Sequence, residues 1–228
     1  RVKTYELALL AIQNAYNELK ASTTSTKNLA KEQVSPHLRS LFLYKEIISH
    51  ISSDYVLILL LLAFDTLNYY EYELRNKNIT FEWLRLIEGL LQGTISISEP
   101  IKKLNHAKLD VYYSNYYEEL DVDDDPSAHV KRVSDPLAQA EQALNEIEGE
   151  FASASNAERQ EYQLTRSYCL HQKGTLFNIK KDFSASLQAY FEALQIKEPL
   201  YAETQEPKIL SSIAYTKHGM ANAFFSNN

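Results

Sequence analysis

Residues 168–199, YCLHQKGTLFNIKKDFSASLQAYFEALQIKEP, restrict the fold more than any other stretch of the chain. Two amphipathic segments flank the polar turn Lys180-Lys181-Asp182. In the first segment Tyr168, Leu170, Phe177 and Ile179 surround Gly174. A glycine inside a helix costs about 1 kcal/mol relative to alanine, so a packing reason for it is expected, and close approach of a second helix supplies one. In the second segment Asp182 can cap a helix by accepting from its free N–H groups. Phe183, Leu187, Tyr190, Phe191 and Leu194 then recur at spacings that put them on one helical face. Ser186, Ala189 and Ala193 leave shallow places for a neighbour. The expectation is a helical hairpin with a close crossing.

Composition extends that expectation to the whole chain. Only 5 Gly and 6 Pro interrupt 228 residues, which favours long helices over short strands and turns. The formal charge is −7, which argues against nucleic acid as the main partner, because phosphate binding relies on a basic surface. Cys169 is the single cysteine. No disulfide can form within the chain, which points to a reducing compartment such as the cytoplasm. The run Val56–Phe64, VLILLLLAF, is far shorter than the roughly 20 apolar residues of a membrane span. It reads as a helix buried on all sides. Arg1 in place of Met suggests an excised piece of a longer protein.

Periodicity divides the chain into helices. Tyr5, Leu9, Ile12, Tyr16 and Leu19 mark the first, and a polar break follows at Ser22–Ser25. A short helix over 27–33 is expected to end before Pro36, and another to run from there to Ser49. Ser53 is expected to cap a helix reaching Asn76, and Thr80 one reaching Leu91, where Gly93 stops it. Ser98-Glu99-Pro100 opens a helix to about Leu120 that carries Tyr112, Tyr113, Tyr116 and Tyr117. Residues 121–134 read as an acidic loop, with Asp121, Asp123, Asp124 and Asp125 repelling one another. Counted as a calcium loop from Asp121, the glycine and glutamate positions hold Pro126 and Arg132, so calcium binding is not expected. Asp135-Pro136 opens the next helix, Ser155-x-x-Glu158 forms a capping box, and Pro207 starts the last helix. The domains expected are an N-terminal helical region over 1–120, the acidic linker over 121–134, and a helical repeat region over 135–228.

The hairpin resembles one tetratricopeptide repeat. Gly174, Ser186, Tyr190, Ala193 and Pro199 fall where that family places glycine, a small residue, an aromatic, a second small residue and proline. Aligning Gly219 on Gly174 puts Tyr215 at the opening aromatic position, which Leu170 fills in the earlier copy. The two glycines are 45 residues apart, against a standard period of about 34. The surplus fits in the loop Lys197–Glu206. Upstream, Ser114 and Tyr117 occupy the glycine and aromatic places of a weaker copy over 107–150. The likeness covers about residues 155–228; the same residues would also suit a hairpin in a globular bundle. It implies an all-α fold of about 9–10 helices, with antiparallel hairpins stacked as a right-handed α-solenoid. A stack of this kind leads us to expect further repeats beyond Asn228.

Similar proteins bind a peptide or protein surface in a concave groove lined by first helices. Carried over by position, the groove residues are His171, Gln172, Thr175 and Asn178, then Thr216, Lys217 and Met220. One subgroup clamps a C-terminal carboxylate with Lys and Asn where this chain has His171 and Thr175, so that ligand is not expected. The functional expectation is a non-catalytic interaction scaffold without cofactor or metal. Alternatives are a sensor of a small peptide or metabolite, or the interaction arm of a larger enzyme or a bacterial effector secreted into a host cytosol. The Tyr112–Tyr117 face is expected to pack in the core, with a homo-oligomer through it as the alternative. Catalysis finds no motif: no two histidines are spaced i, i+4, Cys169 and His171 lie two apart and so point to different sides of a helix, and there is no phosphate loop or nucleophile elbow.

Overall fold

The computed structural model describes residues 1–20, 24–120 and 125–226. The polar break at Ser22 and the acids Asp121, Asp123 and Asp124 lie outside them. The described residues are all-helical, as expected, and form ten α-helices and one π-helical turn. Two compact units divide the chain, Arg1–Lys102 and Lys103–Asn228.

In the first unit α1 (Val2–Lys20) packs on α2 (Thr24–Phe42), and both meet α4 (Ser53–Asn68). The short α3 (Lys45–Ile48) leads into α4, and α5 (Lys77–Gln92) returns along α4. Leu9, Leu38, Leu59, Leu84 and Ile87 form the buried interior, and Phe42 meets Trp83 edge-on at 5.8 Å. Buried tyrosine rings keep their hydroxyls bonded: Tyr5 donates to the Leu41 carbonyl and Tyr16 to Asp65. The apolar run of α4 is not buried on all sides, since Leu57 and Leu61 are exposed. No helix among the described residues is long and apolar enough to cross a membrane.

The end of α4 departs from the expected single helix to Asn76. Residues Tyr69–Glu73 widen into a π-helical turn, with Leu74 N–H reaching the Tyr69 carbonyl and Asn76 N–H the Tyr70 carbonyl. Arg75 follows in the left-handed region at φ 49°. The next helix therefore begins earlier than Thr80. Asn76 caps it by accepting from Ile79 N–H, and Thr80 is buried inside it.

In the second unit α6 (Glu99–Glu118, from Lys103 on), α7 (Pro126–Phe151), α8 (Asn156–Ile179), α9 (Phe183–Thr204) and α10 (Pro207–Ser226) follow one another. α7 packs on α8, α8 on α9, and α10 on both α9 and α8. The capping box at Ser155 and Glu158 is formed, and Asp182 accepts from Ala185 N–H at the start of α9.

Three helices run through a proline that reads as a boundary. α2 contains Pro36, α7 contains Pro136 and α9 contains Pro199. Residues 126–134, expected as loop, are the first turns of α7: Asp125 accepts from the N–H groups of Ser127 and Ala128, and Pro126 occupies the first turn. The Ser127 hydroxyl first, and then these backbone bonds, hold the Asp125 carboxyl below its ordinary pKa. A proline inside a helix costs about 3 kcal/mol. In α7 the buried stripe His129, Val133, Leu137, Ala140, Leu144, Ile147 and Phe151 continues on both sides of Pro136 and outweighs that cost.

Gly174 has the packing reason its position requires. A Cβ there would lie 2.7 Å from the Tyr190 ring, and one on Gly219 would lie 2.8 Å from the same ring's far end. Gly149, at an exposed position of α7, has nothing within 4 Å of its Cβ position. Gly174→Ala and Gly219→Ala are each expected to lower stability by about 1–3 kcal/mol through ring displacement. Gly149→Ala should raise it by about 0.5–1 kcal/mol through helix propensity. Urea denaturation of the three variants checks the contrast.

Candidate functional site

The seven residues expected along the groove differ in burial and in the helices they face. Those of α8 divide between its two sides. Gln172 faces α6: it is 4% exposed, and its Nε2 donates to Asn115 Oδ1 at 2.7 Å. His171 and Thr175 face α9 and α10. The His171 ring lies 5.3 Å from the Tyr190 ring and 6.5 Å from that of Tyr215, and its Nδ1 is 3.1 Å from Thr216 Oγ1. Thr175 Oγ1 is 3.1 Å from the Tyr190 hydroxyl. Asn178 is half-buried near the end of α8.

The α10 residues divide likewise. Thr216 is fully buried, whereas Lys217 is exposed and paired with Glu198 at 2.8 Å. Met220 packs against the apolar cluster Leu164, Leu194, Leu200, Ile209 and Ile213. Gln172, Thr216 and Met220, which the family likeness carried over as groove positions, thus also take part in helix packing. Side chains of α6 reach α8 here: Lys108 pairs with Glu161 at 2.5 Å, and Asn115 accepts from Gln172.

Lys197 of α9 is a residue that periodicity did not single out. It is 1% exposed, its Nζ donates to Thr216 Oγ1 at 2.8 Å, and it stands 5.0 Å from the centre of the Tyr168 ring. Burial pulls its pKa down to about 7. Burial and, second, the Lys197 charge pull His171 down to about 3. A lysine lying among Ala193, Leu194 and Leu200 in sequence carries no local mark of this environment.

Comparison with protein-family models, curated proteins and solved structures found no match.

The arrangement offers little to a covalent mechanism. Burial pushes the Cys169 thiol up to about 12. The nearby Glu141, Lys173, Arg166 and Asp110 place it toward α6 and α7, away from the side of α8 that carries His171. A shallow depression on α7 is lined by Ala138, Glu141, Gln142, Asn145 and Glu146. Its carboxylates are engaged by Lys173 at 2.6 Å and Lys103 at 2.8 Å. No group of three or more His, Cys, Asp or Glu among the described residues is placed to hold a metal ion.

Two outcomes follow. Gln172→Ala should cost about 1–3 kcal/mol by removing a buried hydrogen bond, whereas Asn178→Ala should change stability by less than about 0.5 kcal/mol, both read from denaturant midpoints. Cys169 should resist an aromatic disulfide reagent at pH 8 in the folded chain and react at once in denaturant, as thiol absorbance assays report.

Proposed function

We propose that the unit Lys103–Asn228 is a tetratricopeptide-like stack of helical hairpins, and that the protein is a non-catalytic scaffold holding a peptide or protein surface. The observation that carries this reading is the Tyr190 ring, set between the glycines of two alternate helices, Gly174 of α8 and Gly219 of α10. Ser186 completes the crossing by donating to the Gly174 carbonyl at 2.7 Å. A related bond supports a second hairpin upstream: Ser114, the residue in the glycine place of α6, donates to the Val133 carbonyl of α7 at 2.9 Å.

In this reading α6, α8 and α10 are the first helices and together make the binding face. Side-chain pairs link them in order, Gln172 to Asn115 and His171 to Thr216. The buried members of the face set its shape. Thr175 and Asn178 are the partly accessible groups that contact a ligand, with Lys217 at the margin.

The test is binding to a random peptide array. Asn178→Arg should weaken the peptides retained by the native chain by about tenfold or more, about 1.4 kcal/mol. Gln195→Arg, at an exposed position of α9 rather than on α6, α8 or α10, should leave them unchanged. Equal binding by both variants, or no peptide held by the native chain, sinks the scaffold reading.

A further inference from the structure

One buried oxygen joins three helices. Thr216 Oγ1 of α10 lies 2.9 Å from the Ser212 carbonyl, to which it donates its single hydrogen. Its lone pairs then accept from two bases: Lys197 Nζ of α9 at 2.8 Å and His171 Nδ1 of α8 at 3.1 Å. This requires His171 to carry its proton on Nδ1, so the neutral ring leaves Nε2 bare.

The surroundings offer these bases rings rather than counter-ions. Tyr168 lies under Lys197, and Tyr190 and Tyr215 flank His171. Charged groups stand nearby on each helix that meets them. On α8, Glu161 acts on Tyr168 but pairs with Lys108. On α9, Glu198 pairs with Lys217 of α10. At the α9–α10 turn, Glu206 pairs with Lys208 at 2.9 Å. On α6, Glu118 acts on Tyr190. Among the described residues, neither Lys197 nor His171 has an ion-pair partner.

We propose that this three-way contact is an acid-released latch, in which protonation of Lys197 and His171 frees α10 from the α8–α9 hairpin. An ammonium has three donors and here meets one acceptor. An imidazolium adds an N–H at Nε2 and a second positive charge beside the first. Release returns both groups to water. Ile209 and Ile213 still hold α10 to Leu164, Leu194 and Leu200, so acid shifts an equilibrium between docked and released helix. The latch stands independently of the scaffold reading.

The direction of the pH dependence is fixed by both bases being depressed when docked. Lys197 falls from its ordinary 10.5 to about 7, and His171 from 6.5 to about 3. Between each pair of values the released state binds the extra proton. Docking therefore weakens on acidification, by about tenfold per pH unit within each window.

The experiment is hydrogen exchange of the 228-residue chain, read by mass spectrometry and corrected for intrinsic exchange. Amides of α10 are compared with those of α9. From pH 9 to pH 7 the opening constant of α10 should rise by about 50-fold, and from pH 6 to pH 5 by about tenfold, while α9 stays protected. Lys197→Met should remove the first dependence and His171→Gln the second. Where a variant does not fold, the Lys197 ammonium nitrogen of the native chain is titrated by NMR. An ordinary lysine pKa there overturns the proposal. So does an α10 opening constant that ignores pH, or α9 opening in step with α10.

Discussion

The second unit depends on one aromatic ring occupying space that two glycines leave empty. Tyr190 lies across Gly174 on one side and Gly219 on the other. Each glycine costs its helix about 1 kcal/mol. Truncating a buried aromatic of this size costs on the order of 3–5 kcal/mol, so the ring outweighs both glycines together. The contact also selects geometry: α8 and α10 can share the ring only if neither brings a Cβ to it. Ser186, fully buried, spends its hydroxyl on the Gly174 carbonyl instead of standing between the helices. Thr175 takes the ring's hydroxyl. The apolar cluster of Leu164, Leu194, Leu200, Ile209 and Ile213 then adds non-directional burial to a crossing whose register the ring and glycines define.

Helix identity was largely legible because it rests on local chemistry. The Ser155 and Asp182 caps, the stop at Gly93 and the start at Pro207 all lie in a few adjacent residues. Proline misled the reading at Pro36, Pro136 and Pro199 for a physical reason. Its helix-breaking cost is local, whereas the compensating stripe extends over the whole helix. His129 to Phe151 in α7 shows the balance, since the same face stays buried before and after Pro136. The π-helical turn at Tyr69–Glu73 had no such local mark.

The candidate site was less legible than the fold. Periodicity shows which face of a helix is apolar, and polar residues are then assigned to solvent. Gln172 and Thr216 break that inference because their partners come from other helices, Asn115 being 57 residues away and His171 being 45 residues away. Burying a polar group is unfavourable until its partner arrives, and the partner's register is a tertiary property. Lys197 is the extreme case. Its Nζ bonds Thr216, 19 residues away on α10, so nothing within a helical turn of its own sequence announces the contact.

These polar contacts are unevenly distributed, and that governs how the unit can move. Between α8 and α9 the crossing is tight, with the Tyr190 ring against Gly174 and the Ser186 hydroxyl bond beside it. Between α10 and its neighbours the buried polar contacts include a threonine oxygen shared by two bases and the Tyr168–Ser212 hydrogen bond, supplemented by the exposed Lys217–Glu198 pair. An exposed ion pair contributes at most about 1 kcal/mol, and a shared buried acceptor is only as good as the protonation state of its donors. The hairpin and the final helix are therefore held by interactions with different dependence on solvent and pH. Cooperative opening follows the weaker seam, which here runs along α10.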